Sequence, residues 1–514
     1  MMAIKRASDT LDLAQLLDGF AEVPVDANIV VSGLASDSRR LLAGDIFIAC
    51  AGIQTHGLDF AAVAIDSGAA AILWEPDARW DRTRINQLCS AGVALVAVDH
   101  LSSLLGRIGA RFYDHPSHDL EVIAVTGTNG KTSVCQFIAQ ALAAGDPLSC
   151  ATIGTLGYGV TGALQAATHT TPDALTLQSL LAGFRNDKVA CVAMEASSHG
   201  LAQHRLQGTE IDIAVFTNLT RDHLDYHATM DAYGEAKKQL FIHPGLKTAV
   251  INLDDDFGRE LIAALPDDVE QITYGLNRDG SQPVAPDLCA THLQMGSSGL
   301  SFDLHWRGQS AALQTGLLGR FNAHNLMAAF AALLAQGIAF DDLLHRFGSV
   351  ASLPGRMERF SATGKALVVV DFAHTPDALQ QVLKALRHHC AGSLWVVFGC
   401  GGNRDAGKRP LMATVAEQYA DQIVITDDNP RLEDGDQIVT DIVAGLTEVE
   451  SAHIQRDRAG AIAYAVTHAA AGDLILVAGK GHETTQQLGE LKIPFSDRDV
   501  VNALLGSAES AGGR

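Results

Sequence analysis

The chain lacks any C-x-x-C pair: its eight cysteines (Cys50, Cys89, Cys135, Cys150, Cys191, Cys289, Cys390, Cys400) are scattered over 514 residues. That argues against a disulfide framework or a zinc ribbon and fits a reducing cytoplasm. No run of 18 or more apolar residues is present, so no membrane span is expected. The first ten residues mix charged and polar side chains and lack the apolar centre of a signal peptide. Basic residues are scarce, 37 against 59 acidic, for a formal charge of −22. Such a chain repels nucleic acid and anionic membrane surfaces, so any anionic ligand must meet locally gathered positive groups. No internal repeat occurs at solenoid periods. Hydrophobic residues make up 47% of the chain, ample for packed cores, and the length suggests about three domains at ~150 residues each.

The most informative segment is Glu121-Val-Ile-Ala-Val-Thr-Gly-Thr-Asn-Gly-Lys-Thr-Ser133. A β-branched run ends in a glycine turn, then Lys131 and Thr132 open a helix-compatible stretch over 134–144. Backbone N–H groups and the helix dipole at such a junction can cradle a polyphosphate. Lys131 would reach the terminal phosphates and Thr132 a Mg²⁺ ion. The usual spacing is absent, because Val125 stands where a longer loop has its first glycine. A plain tight turn before a helix is the competing reading.

Three blocks emerge: 1–115, 116–353 and 354–514. The first carries short strand-like runs at 44–49, 70–74 and 93–98. The second opens at the phosphate loop and alternates strands with helices. The third alternates too, with buried strands expected at 366–370, 394–398, 422–426 and 474–478. This alternation predicts an α/β fold with parallel or mixed sheets covered by helices. Ligands in open α/β sheets bind beyond the carboxyl ends of strands, and the unusual polar residues stand there. The run 189–194 leads to Glu195, Ser197, Ser198 and His199. The run 211–216 leads to Thr217, Asn218, Asp222, His223 and Asp225. Glu195 and His223 could join Thr132 as metal ligands, although Mg²⁺ prefers oxygen. Lys237 and Lys238 follow on a helix-like segment, where two solvated lysines are the plain reading. In the third block, Gly399-Cys-Gly-Gly-Asn-Arg-Asp405, Asp427-Asp-Asn-Pro-Arg431 and Gly479-Lys-Gly-His-Glu483 each follow a strand. Charges of both signs on one face suit a zwitterionic ligand, with arginine clamping its carboxylate; a surface salt-bridge network is the alternative.

In their joint order these motifs resemble the muramyl-peptide (Mur) ligase family. The resemblance is carried by Ser36-Asp-Ser-Arg39, Gly127-Thr-Asn-Gly-Lys-Thr132, Thr170-Thr-Pro172, Glu195-Ala-Ser-Ser-His199, Asp222-His-Leu-Asp225, Phe321-Asn-Ala-His-Asn325, Pro354-Gly-Arg-Met-Glu358, Asp371-Phe-Ala-His-Thr-Pro-Asp377, Asp428-Asn-Pro-Arg431 and Gly479-Lys-Gly-His-Glu483. It implies three domains: an amino-terminal one for the UDP end of the substrate, a central P-loop ATPase-like one, and a carboxy-terminal Rossmann-like one for the incoming amino acid. Ser36, Ser38, Ile53, Gln54 and Thr55 would hold the uridine end. His169, Thr170, Thr171, Ser197, Gln203 and Arg205 would position the muramyl dipeptide. Gly127, Thr128, Asn129, Gly130, Lys131, Thr132, Ser133, Asn325, Arg356 and Asp371 would bind ATP. Mg²⁺ would take Thr132, Glu195, His223 and Lys237, the last as an N6-carboxylysine carbamate. Carbamylation needs the neutral amine and hence a lowered pKa, for which a nearby metal cation is one cause. Arg404, Asp428, Asn429, Pro430, Arg431, Gly479 and Glu483 would bind the diamino acid. In this family Asp-Asn-Pro-Arg accompanies meso-diaminopimelate, and Arg431 can pair with its second carboxylate.

The resemblance further implies ATP-driven amide formation through an acyl phosphate, with Lys131, Lys237 and His223 in the catalytic machinery. The implied partners are small molecules: UDP-N-acetylmuramoyl-L-alanyl-D-glutamate, meso-diaminopimelate and ATP. A monomer without nucleic-acid or membrane partners is expected. Four positions depart from frequent family residues, namely Ser36, His169, Phe372 and Asn403, and none removes a catalytic group. A lysine-adding ligase of the same family is one alternative, and an amino-acid panel separates the two. A folylpolyglutamate synthase-like ligase is another, without Asp-Asn-Pro-Arg or the long first block. A P-loop switch or motor would hydrolyse ATP without the muramyl dipeptide, and a non-catalytic nucleotide-binding module would not need three sets of charged strand ends.

Overall fold

The computed structural model describes residues 11–52, 54–80, 84–85, 93–144, 149–276 and 285–506. Ile53, the amino-terminal ten residues and the tail beyond Gly506 lie outside the described residues. The chain divides into two compact units, Met1–Ile272 and Thr273–Arg514.

The first unit opens with four short parallel strands, Leu34–Ala35, Ile46–Ala49, Ala71–Trp74 and Ala94–Ala97, paired in chain order. Apolar runs only two to four residues long suffice because both faces are covered. Leu16, Leu17, Ile46, Ile48, Leu73 and Ile108 pack on one side, and Phe47, Leu58, Ala61 and Ile72 on the other. The helix Leu101–Phe112 then lies along Ala174–Asn186, where Leu175 joins the first of these cores. Gly109 permits the approach: a Cβ there would stand 3.2 Å from Gln178 Cγ and Leu175 Cδ2.

Five mutually parallel strands follow in the spatial order Thr248–Asn252, Ile213–Phe216, Glu121–Thr126, Cys191–Glu195 and Cys150–Gly154. Gly157–Val160 adds an antiparallel edge. The strand Glu121–Thr126 is central and buried from Val122 onward. Its helix, Lys131–Ala143, buries Val134, Phe137, Ile138 and Ala141, the i, i+3, i+4, i+7 stripe of a helix laid on a sheet. The carboxyl ends of Glu121–Thr126, Cys191–Glu195 and Ile213–Phe216 therefore lie side by side.

In the second unit, Leu288–Gly296, Gly299–Trp306 and Gln309–Thr315 form an antiparallel meander. This is a departure from the alternating pattern read in the sequence. The connections are two-residue turns at Ser297-Ser298 and Arg307-Gly308, and side chains alternate in burial along Gly299–Trp306, as a one-faced sheet requires. The helices Arg320–Ala335 and Phe340–Gly348 follow. A six-stranded sheet then runs Glu358–Phe360, Leu367–Asp371, Leu474–Ala478, Leu394–Phe398, Gln422–Ile425 and Ala452–Ile454. All its neighbours are parallel except the first pair. Pro376–Arg387, Lys408–Tyr419 and Gly435–Val443 cover one face, and Arg458–His468 with Asp497–Leu505 the other. This doubly wound arrangement matches the strands expected at 366–370, 394–398, 422–426 and 474–478 to within a residue at each end.

Candidate active site

The loop after the central strand turns on two glycines with positive φ, Gly127 (146°) and Gly130 (90°). A side chain at Gly127 would be excluded outright, since a Cβ would lie 1.9 Å from Thr217 Oγ1. Thr217 Oγ1 donates to Asn129 O (2.6 Å), and Asn218 meets Asn129 twice, through Oδ1 and Nδ2 (3.0 and 3.1 Å). The end of the neighbouring strand thus clamps the loop. No side chain caps the helix at Lys131, which leaves its first N–H groups to an anion.

Lys131 folds back over the loop, its Nζ donating to Gly127 O (2.8 Å) and Thr128 O (3.0 Å). Burial lowers its pKa, and the charges of Glu195 and Asp222 oppose that shift. Thr132 Oγ1 donates to Glu195 Oε1 at 2.9 Å, and the same oxygen accepts from Thr155 N at 2.7 Å. Glu195 is buried at its strand end, and desolvation raises its pKa. The sequence-derived pair Thr132 and Glu195 is therefore in direct contact.

Lys237 is 1% exposed. Its helix, Met230–Lys238, is capped by Thr229 Oγ1 accepting from Ala232 N. This places Tyr233 and Lys237 on one face, four residues apart, with Nζ 4.2 Å from the Tyr233 ring centroid. Burial first, and the Lys131 charge second, push the Lys237 amine down to about 6. The plain reading of two solvated lysines holds only for Lys238, which pairs with Glu235 at 3.2 Å. The lowered value follows from burial and a neighbouring ammonium, whereas the sequence suggested a metal as its cause. Tyr233 OH reaches Thr128 Oγ1 at 3.2 Å, joining this helix to the phosphate loop. His223 is partly exposed, with Nε2 3.5 Å from Asp222 Oδ2 and its ring 6.0 Å from Tyr233. Lys131, Thr132, Glu195, His223 and Lys237 are thus brought into one neighbourhood. Among the described residues no group of three or more His, Cys, Asp or Glu forms a ready-made metal site.

Beside them, Thr171 is buried, donating to Glu195 O (2.7 Å) and accepting from Ser197 N (3.0 Å). Arg205 donates to Thr171 O and to Gln203 Oε1, both at 2.6 Å. Thr170 Oγ1 lies 3.1 Å from Thr155 Oγ1, and His169 is exposed. Sequence reasoning missed Thr155, whose hydroxyl and amide hold Glu195, and the rings of Tyr226 and His227, which cluster with His199 next to His223. Ser36, Gln54 and Thr55 are exposed and Ser38 half-buried on the first, four-stranded part of the unit.

Within the second unit, Asn429, Lys480 and Glu483 form one knot: Lys480 Nζ donates to Glu483 Oε2 (2.7 Å) and Asn429 Oδ1 (3.1 Å), and Asn429 Nδ2 to Glu483 Oε2 (3.0 Å). Lys480, fully buried, was not named as a site residue, although its Gly-Lys-Gly-His-Glu context was. Arg431 sits at φ 54°, with Nη1 donating to Gly402 O at 2.8 Å. Gly401 leaves room for the guanidinium, a Cβ there falling 2.8 Å from Arg431 Nη1. Desolvation raises the Asp428 pKa against the charges of Arg458 and Lys480; Arg404 is exposed. Asn325 is buried and donates to Asn322 Oδ1 at 3.1 Å. Asp371 is buried too, each oxygen accepting a backbone N–H, from Met357 (2.7 Å) and Ala373 (2.8 Å). Arg356 is exposed, its guanidinium 5.2 Å from the Phe372 ring centroid.

A glycine-turned strand–helix loop, with a lysine folded over it and a buried carboxylate bound to the next threonine, defines a phosphate-binding α/β protein of the P-loop kind. Residues 30–113 match the Mur ligase family catalytic domain, 125–333 the Mur ligase middle domain and 355–481 the Mur ligase glutamate ligase domain. The chain belongs to the Mur ligase family. It is 44% identical over 493 residues to the UDP-N-acetylmuramoyl-L-alanyl-D-glutamate–2,6-diaminopimelate ligase of Coxiella burnetii, covering 96% of this chain and 99% of that one. It is 47% identical to the ligase of the same name from Alkalilimnicola ehrlichii, over 94% of this chain and 96% of the relative. A solved structure of a ligase with that name superposes with a TM-score of 0.76 at 37% identity, covering 96% of this chain and 99% of the other.

Proposed function

We propose that this protein is an ATP-dependent amide-forming ligase that adds meso-2,6-diaminopimelate to UDP-N-acetylmuramoyl-L-alanyl-D-glutamate in peptidoglycan precursor synthesis. The observation that carries this reading is likeness to diaminopimelate ligases over nearly the whole chain at 44–47% identity. No helix among the described residues is long and apolar enough to cross a membrane. In this reading the protein acts as a monomer on small molecules in the cytoplasm. The division of labour follows the blocks 1–115, 116–353 and 354–514, for the UDP end, ATP and the amino acid respectively.

A carboxylate is a poor acylating agent. In the proposed chemistry the D-glutamyl carboxylate oxygen attacks the γ-phosphorus of ATP, ADP leaves, and an acyl phosphate forms. The diaminopimelate amine then attacks that carbonyl and expels phosphate. Lys131 and the free N–H groups of the loop neutralise and orient the phosphates. The donor set suits Mg²⁺, which takes oxygen ligands: Thr132 and Glu195 offer two. Lys237 would offer a third as a carbamate, with His223 alongside. Mg²⁺ there would screen the phosphate oxygens. Thr170, Thr171, Ser197, Gln203 and Arg205 would position the muramyl dipeptide. Arg431, Asp428 and the Asn429–Lys480–Glu483 knot would read the two ends of a zwitterion, with Arg431 pairing with the second carboxylate that lysine lacks.

Phosphate release from ATP tests this reading, measured with the UDP-muramyl dipeptide and either diaminopimelate, lysine or glutamate. Release that requires both the dipeptide and diaminopimelate is expected. Preference for lysine or glutamate would select one of the other ligase readings, and release without any acceptor would point to a nucleotide switch.

A further inference from the structure

Two nitrogens beside the phosphate loop stand out, and one of them is buried without a partner. His227 closes the one-turn helix Leu224–His227 and is 8% exposed, and its Nε2 is buried with no hydrogen-bond partner. An imidazole N–H in that position forfeits a hydrogen bond. Lys237, 1% exposed, sets its amine against the Tyr233 ring. Both converge on that ring: the His227 centroid lies 5.2 Å from it, and Lys237 Nζ 4.2 Å. His227 cannot easily turn away. His199 (5.4 Å), Tyr226 (4.8 Å) and Tyr233 enclose its ring. Its backbone N donates to His223 O at 3.0 Å and its O accepts from Thr229 N at 2.7 Å.

With its proton on Nε2, the imidazole cannot pair with a lysine ammonium, since both are then donors. One event satisfies both. The Lys237 nitrogen attacks the carbon of dissolved CO₂, an N–C bond forms, and an amine proton goes to water. The product is a carbamate anion with two acceptor oxygens on the far side of the nitrogen. We propose that His227 is a positioning residue for the Lys237 carbamate, donating Nε2–H to one of its oxygens and leaving the other for the cation. This rests on the reading of Lys237 as a carbamate and deepens it: the modification would be held by a built-in donor rather than by the metal alone. A ring carrying its proton at Nε2 is the donor required.

The test uses the full-length protein without metal or nucleotide, titrated with ¹³C-bicarbonate while the carbamate carbon resonance is followed by NMR. In His227→Leu the half-saturating bicarbonate concentration should rise about tenfold, the value of one hydrogen bond to a charged group. In His227→Gln, whose amide can reach the same point, it should stay within about threefold of the parent. Calorimetric ADP binding and a thermal melt, unchanged in both variants, separate this from general damage to the loop. If His227→Leu does not fold, the Gln variant is compared with His227→Phe. Equal half-saturation in the parent and the apolar variant overturns the role of His227 while leaving the carbamate intact. Absence of any carbamate signal in the parent overturns the reading of Lys237, and this inference with it.

Discussion

The neighbourhood of the phosphate loop and the carboxyl ends of the six-stranded sheet are both rich in buried charge, but they treat it in opposite ways. Around the loop the charges are left short of partners. Among the described residues Lys131 donates to carbonyls, Lys237 lies against a ring, and Glu195 takes hydroxyl and amide donors without a salt bridge. In the second unit several buried charges are tied into ion pairs. Arg458 grips Asp497 at 2.7 and 2.8 Å with both residues fully buried, Lys480 holds Glu483, and Arg409 holds Glu433 and Asp441. Burying an unpaired charge is costly, so it persists where a ligand completes it or where the group gives up its proton. The difference fits the proposed division between a region that would take phosphate, metal and a modification and a frame that would hold the amino-acid loops still.

Disrupting the frame should give the largest effect. Arg458 opens the helix Arg458–His468, Asp497 opens Asp497–Leu505, and Arg458 Nη2 also donates to Ala478 O at 2.9 Å. The pair fastens two helix starts to one strand end. Asp497→Asn should lower unfolding free energy by about 3–5 kcal/mol, because it strands a buried guanidinium. The double variant Arg458→Met/Asp497→Leu should recover most of that loss in urea titrations. A double variant no more stable than the single one would contradict the account.

The loop side should respond in the reverse sense. Lys131→Ala removes a group whose only hydrogen bonds are to two nearby carbonyls, so the melting temperature should barely move. Phosphate release should nonetheless fall by about 10²–10³-fold, the usual cost of deleting one charge-stabilising donor. Near-normal turnover in this variant would refute the role of Lys131. Next in size is Arg431→Ala. Its kcat/KM for diaminopimelate should drop about 10–100-fold, as for one charged hydrogen bond, and hardly change for lysine. An equal loss for both amino acids would remove the selectivity argument.

The same contrast explains what was legible in the sequence. Strands such as Leu394–Phe398 and Leu474–Ala478 were readable because a buried parallel strand is a short β-branched run, and the polar residues after it are conspicuous. Thr132, Glu195 and Arg431 were visible for that reason. The meander at 288–315 was not, since its residues alternate and its turns, Ser297-Ser298 and Arg307-Gly308, carry only a weak signal. Arg458 and Asp497 stand 39 residues apart, and nothing local to either announces a buried pair. Lys237 and Lys238 look alike in sequence. Helix phase alone sends one under Tyr233 and the other towards solvent. His227 was overlooked because His223, four residues earlier, carried the motif.

The smallest effect concerns the frame's outer edge and its dependence on acid. Arg409 donates to both oxygens of Glu433 at 2.7 Å. That ion pair, helped by the Asn403 N–H, holds the Glu433 carboxyl down at about 2, against about 4.3 in an unfolded chain. A carboxyl whose pKa is depressed on folding stabilises the protein above its unfolded pKa. That contribution fades as pH falls through the interval towards the folded value. The wild type and Glu433→Gln should therefore differ in melting temperature by a constant amount above about pH 5 and converge between about pH 4 and 2. Because Glu433 is partly exposed, salt should narrow the gap as well. A difference that stays constant down to pH 2 would mean the glutamate acts through shape alone, and that Arg409 draws its hold from Asp441.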